Sequence, residues 1–114
     1  MIEKEKISLK KEKVIIVGTI QSKLNNIQVN EHLKELELLV NTAGGIVAGK
    51  VIQRISKINS ATFIGKGKAN QLVSQAVQLG VKIIIFDDEL TPAQIKNYHK
   101  ISKKLKVMDR SGLI

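Results

Sequence analysis

Val14-Ile15-Ile16-Val17 places four β-branched residues in a row just before Gly18, and a strand of that composition has no polar face to turn toward water. A strand buried on both faces belongs inside a parallel sheet covered by helices. The run from Val81 to Phe86 reads as a further strand.

Between these runs the apolar spacing becomes helical. Asn25 and Asn26 mark a loop, and Asn30 is the expected N-cap of a first helix. Its inward residues are Leu33, Leu36, Leu39, Val40 and Ala43, until Gly44-Gly45 stops it. Ile46 to Ile55 reads as a second strand, weakened at Gly49, and Ala61 to Ile64 as a third after Asn59-Ser60. Ala69, Leu72, Val73, Ala76, Val77 and Leu79 form one face of a second helix closed by Gly80. Thr91-Pro92-Ala93-Gln94 has the pattern of a capping box and opens a third helix, carried inward by Ile95, Tyr98, Ile101 and Leu105. Lys106 to Asp109 begins a final strand. The expected class is α/β, a mainly parallel sheet of four to five strands with about three helices packed on its faces. Two strands in succession between Ile46 and Ile64 predict one antiparallel edge or hairpin. Residues 1–13 read as a charged, flexible leader and 14–114 as a single domain.

Composition narrows the function classes. The chain has no Cys, which excludes disulfides, zinc–thiolate sites and thiol chemistry and makes a reducing cytoplasm the expected compartment. No apolar run approaches the ~18 residues of a membrane span. Nineteen Lys and Arg against 10 Asp and Glu give a net charge of +9, which fits a polyanionic partner, RNA above all. A lysine-rich solubilising surface accounts for the charge equally well. Phe63, Phe86 and Tyr98 are the whole aromatic complement, too few for a base-stacking platform, so any RNA contact runs through phosphates and shape.

Several stretches invite a chemical reading. Gly44-Gly45-Ile46-Val47-Ala48-Gly49-Lys50 has the spacing of a phosphate-binding loop. It is followed by Val51 where Ser or Thr would bind Mg²⁺, and it runs helix to strand where such a loop runs strand to helix. It is a decoy. Gly65-Lys66-Gly67-Lys68 has the right order, and its backbone N–H groups and helix dipole suit a phosphate of a nucleotide or of RNA; a tight turn with solvated lysines is the plainer alternative. Asn70 stands where a dinucleotide fingerprint needs its last Gly. Asp87-Asp88-Glu89 lies at the end of a parallel strand, where Asp87 and Asp88 are weak candidates for Mg²⁺, although acids before Thr91-Pro92 also suit a helix N-terminus. A receiver domain would need its acidic pair after the first strand, which here ends in Gly18-Thr19. His32 and His99 have no catalytic or metal partner in the pattern, and no catalytic residue is assigned. Lys96, Lys100, Lys103 and Lys104 can share a helical face and, with Arg110, form the candidate RNA contact.

Taken in order, Thr42-Ala43-Gly44, Val51-Ile52-Gln53-Arg54, Ala61-Thr62-Phe63-Ile64-Gly65-Lys66-Gly67-Lys68, Ile85 through Gln94, and Val107-Met108-Asp109-Arg110-Ser111 resemble the N-terminal domain of the HflX family of ribosome-associated GTPases. The resemblance covers about residues 30 to 114, departing at Asn59-Ser60, where the family often has a proline turn, and at Ser111, where Thr is usual. It implies an α/β domain followed by a helical hairpin and a GTPase domain of the same chain with Mg²⁺-dependent GTP hydrolysis. It further implies association with the large ribosomal subunit and its ribosomal RNA, in ribosome splitting or rescue under stress. The N-terminal region would help bind the ribosome and tune hydrolysis, with ATP a possible ligand there; the family's glycine-rich positions fall on Gly65 and Gly67. The chain would stop before the hairpin and the GTPase domain.

Overall fold

The computed structural model describes residues 8–21 and 26–113. In chain order these form β1 (Lys13–Ile20), α1 (Asn26–Thr42), β2 (Ile46–Arg54), α2 (Lys66–Gln78), β3 (Ile83–Phe86), α3 (Pro92–Ile101), β4 (Lys106–Asp109) and a 3₁₀ helix, Arg110–Leu113. The strands form one sheet in the order β2-β1-β3-β4, and every pairing is parallel. The α/β class holds, with four strands and three α-helices.

Alternation along the buried strands loads two cores. Ile15, Val17, Ile84 and Phe86 face α2 and α3, packing with Leu72, Ala76 and Tyr98. Val14, Ile16, Ile83 and Ile85 face α1, packing with Leu33, Leu36 and Val40. A period-2 backbone with β-branched residues at every position therefore cements helices on both sides. Gly18 lets α1 approach β1 closely, because a Cβ there would lie 2.9 Å from Val29 Cγ1. A register shift between Val14 and Ile15 marks a bulge in the β1–β2 pairing near Gly49.

Three expectations are corrected. Ala61–Ile64 is not a strand, and among the described residues no antiparallel edge strand joins the sheet; the segment's one β-type pairing is an isolated antiparallel bridge between Asn59 and Phe63. Asn59 Oδ1 accepts the Ala61 and Thr62 N–H groups at 2.8 and 3.0 Å, which curls the backbone, and Phe63 then takes φ 67°. α1 begins at Asn26, not after Asn30, because Val29 extends the buried stripe; Asn25 lies outside the described residues. α3 stops at Ile101, with Ser102 extended, so Leu105 is buried from a turn and Ile101 is exposed. Of the segment read as a leader, residues 1–7 lie outside the described residues; Leu9 is buried and the Lys11 N–H donates to the Gly44 carbonyl at 2.8 Å. Among the described residues no helix is long and apolar enough to cross a membrane.

Candidate functional site

β1 and β3 are neighbours whose following helices leave to opposite faces of the sheet. In an open α/β sheet that divergence opens a crevice at the carboxyl ends of the strands. Here side chains bridge the crevice, and a cleft of about 290 Å³ stays open beside Asp87, Glu89, Asp109, Arg110 and Ser111. Thr19 Oγ1 donates to Asp88 Oδ2 at 2.7 Å. Asp87 Oδ1 accepts from Arg110 Nε at 2.8 Å and from Arg110 Nη2, while His32 Nδ1 lies 3.5 Å from Asp87 Oδ2. Arg110 Nη2 also donates to the His32 carbonyl at 2.7 Å, and Nη1 lies 3.4 Å from Glu35 Oε2. The buried Asp109 accepts the Leu90 N–H at 2.9 Å and the Ser111 hydroxyl at 2.5 Å.

Asp87 and Asp88 therefore diverge, one toward Arg110 and α1 and the other toward Thr19. Among the described residues no group of three or more His, Cys, Asp or Glu converges to hold a metal ion. With Asp87 neutralised by a guanidinium, the pair does not fit Mg²⁺, which needs carboxylate oxygens free to enter its shell. Burial raises the Asp88 carboxyl above its ordinary value; the Thr19 hydrogen bond opposes the shift and the Asp87 charge adds to it. A carboxyl raised in the folded state contributes stability below its unfolded pKa and loses that contribution as pH rises through the folded value. Asp88→Asn, which keeps an acceptor for Thr19, is thus expected to unfold at a higher temperature than wild type at pH 7. In calorimetry the gap should close as pH falls toward 4.

Gly65 is the N-cap of α2 at φ 85°, in the left-handed region that favours glycine, and a Cβ at Gly65 or Gly67 would meet nothing within 4 Å. Lys66, Gly67 and Lys68 form the exposed first turn, so the expectation of a loop opening a helix holds while the strand before it does not. An open cleft of about 600 Å³ runs from Arg54 at the end of β2, past Lys57 and Asn59, to Gly65. Its far wall is fixed by α3: Gln94 Nε2 donates to the Asn59 carbonyl at 2.9 Å, Asn97 Nδ2 to the Ala61 carbonyl at 2.9 Å, and the Tyr98 hydroxyl to the Thr62 carbonyl at 2.7 Å. The capping box is present, with Thr91 Oγ1 accepting from the Gln94 N–H at 3.1 Å and Gln94 Oε1 from the Thr91 N–H at 2.9 Å. Its Gln94 thus serves both the helix and the loop. Arg54 entered the sequence reading only within the Val51-Ile52-Gln53-Arg54 block and Lys57 not at all; their signal was position at the end of a strand and just after it.

The candidate RNA stripe is divided by the structure. Lys96 and Lys100 lie exposed on α3, Lys103 and Lys104 in the turn after it, and Arg110 at the opposite edge of the sheet with its guanidinium engaged. His99 is exposed on α3 and His32 half-exposed on α1.

The Gly44–Lys50 string does not fit the phosphates of GTP. Gly44 and Gly45 close α1 through N–H bonds to the Asn41 and Val40 carbonyls, and Lys50 Nζ pairs with Glu37 at 2.7 Å from the middle of β2. The string with phosphate-loop spacing is a helix stop and a strand. A family model described as the N-terminal domain of GTP-binding GTPases matches residues 30–114. The chain is 42% identical over 114 residues to GTPase HflX of Flavobacterium psychrophilum, covering all of this chain and 27% of that protein. It is 37% identical over 103 residues to GTPase HflX of Alkalihalophilus pseudofirmus, covering 90% and 24%, and 36% identical over 85 residues to that of Escherichia coli, covering 74% and 20%. The chain thus spans about a quarter of the length of these curated relatives. With the fold and these matches in agreement, the chain belongs to the HflX GTPase family, whose N-terminal part it matches.

Proposed function

We propose that this chain is the ribosome-binding and regulatory N-terminal domain of an HflX-type GTPase, acting in the cytoplasm on the large ribosomal subunit during splitting or rescue of stalled ribosomes. GTP binding and Mg²⁺-dependent hydrolysis belong to another domain of such a protein. The observation that carries this reading is the family match combined with a net charge of +9 and the exposure of every lysine among the described residues. A domain that recognises RNA by phosphate needs cations at its surface, and it needs no catalytic group of its own.

Sedimentation of the chain with purified large subunits tests it. Co-sedimentation is expected at about 50 mM salt and a loss of roughly a hundredfold or more in affinity by about 200 mM, as phosphate-dominated binding requires. Absence of binding at the lower salt defeats the reading. The competing possibility is an adenine-nucleotide site at Gly65 to Lys68, which the adjoining cleft with Arg54 and Lys57 favours. Calorimetric titration with ATP and Mg²⁺ separates the two, because a ribosome-binding surface gives no saturable heat with free nucleotide.

A further inference from the structure

A parallel sheet starts every strand at the same edge. In this chain that edge gathers lysines far apart in sequence. Lys13 opens β1, and because Val14 pairs with Ile83, Lys82 stands beside it just before β3. The Lys82 carbonyl accepts the Lys106 N–H at 2.8 Å, which sets the entry of β4 next in line. With strands ~4.8 Å apart, these entries form a closely spaced row. Lys10 and Lys11 flank it from the turn before β1, pinned there by the Lys11 N–H bond to the Gly44 carbonyl. Lys103 and Lys104 flank it from the turn between α3 and β4.

Lys10, Lys11, Lys13, Lys82, Lys103 and Lys104 are all exposed, and none makes an ion pair with a described residue. Glu12 is the only acid in the segments 8–13, 42–46, 79–83 and 102–106 that build this edge. The carboxyl edge is mixed, holding Asp87, Asp88, Glu89 and Asp109 beside Arg54, Lys57, Lys66, Lys68 and Arg110. Positive charge unrelieved by acids is therefore concentrated at the amino edge. Part of the positive charge offsets the negative ends of α1, α2 and α3, which terminate on the same side. Three half-charges leave most of six lysines uncompensated.

We propose that the amino edge of the sheet is the surface that docks on RNA, gripping the phosphate backbone without reading sequence. This rests on the ribosome-binding reading and assigns it a surface. All three aromatic rings are buried, which removes both base stacking and the aromatic anchoring common at membrane surfaces. What remains is a compact array of ammonium groups, which matches a backbone of closely spaced phosphates. Leu79 and Ile101 lie exposed where α2 and α3 end, so an anionic membrane is the alternative that the test must exclude.

The test compares a triple variant, Lys13→Glu with Lys82→Glu and Lys103→Glu, against a control triple at the other edge, Lys57→Glu with Lys66→Glu and Lys68→Glu. Both change net charge equally at exposed positions, and circular dichroism confirms folding. Binding to large subunits and to purified ribosomal RNA is measured across salt. The amino-edge triple is expected to bind both at least about tenfold more weakly, with a salt slope shallower by about 2–3, since each lost phosphate contact removes a little under one unit. The control should lose markedly less. Equal loss in the two triples, or wild-type binding by the amino-edge triple, overturns the surface assignment and leaves ribosome binding standing. Failure of the wild-type chain to bind subunits at low salt overturns the ribosome reading and this inference together. Loss of binding to phosphatidylcholine–phosphatidylserine vesicles with RNA binding intact assigns the edge to membrane and also overturns it.

Discussion

Tyr98→Ala is expected to lower the unfolding free energy by about 3–5 kcal/mol, a large part of the roughly 5–15 kcal/mol typical of a domain this size. Tyr98 is wholly buried, its ring centroid lies 5.6 Å from that of Phe86, and Phe86 in turn meets Phe63 at 6.2 Å. Truncation opens a cavity at the centre of the core beneath α2 and α3. The hydroxyl has a separate role: it donates to the Thr62 carbonyl at 2.7 Å, one residue before Phe63 at φ 67°. A bulky residue in the left-handed region costs of order 1–3 kcal/mol and persists only where its surroundings hold it. Tyr98→Phe keeps the ring and strands that carbonyl, so a loss of about 1–2 kcal/mol is expected. Faster limited proteolysis near residues 59–65 should accompany it. Urea unfolding monitors both. A Phe variant as stable and as protected as wild type would show that the hydroxyl does not hold the loop.

That hydrogen bond also explains where the sequence was legible. Val14 to Val17 and Ile83 to Phe86 read directly, because a strand buried on both faces writes its environment into every residue. The capping box read directly because Thr91 and Gln94 are three residues apart and interact with nothing else to form it. Ala61 to Ile64 misled because Thr, Phe and Ile favour extended structure, whereas the backbone there is shaped by the Asn59 side chain and by Tyr98, 36 residues downstream of Thr62. The end of α3 misled because Leu105 keeps helical spacing while its burial is delivered by a turn. Gly65 to Lys68 was placed correctly as a helix start, since glycine before a helical pattern is a local signal. Neither the lysine edge nor the lacing of Asp87 was visible, because both depend on which strands become neighbours.

Arg110→Ala should be the most damaging exposed-edge substitution. The register that pairs Phe86 with Asp109 brings the residues following each strand, Asp87 and Arg110, side by side. The guanidinium then reaches two oxygens of α1, at the His32 carbonyl and Glu35, so one side chain ties the 3₁₀ helix to both β3 and α1. Its removal leaves Asp87, with a side chain only 14% exposed, without its guanidinium and with His32 Nδ1 at 3.5 Å as its remaining neighbour. The pair is not fully buried, so the cost expected is about 2–3 kcal/mol rather than the 3–5 of a deeply buried pair. Arg110→Lys should recover less than half of it, because an ammonium offers no planar fork to span Asp87 and the His32 carbonyl together. Asp87→Asn should be milder than Arg110→Ala, since an amide needs no counter-charge and still accepts from Arg110. In a double-mutant cycle measured by chemical unfolding, Asp87→Asn is expected to relieve Arg110→Ala by about 1–2 kcal/mol. Additive losses would mean that Arg110 acts only through α1.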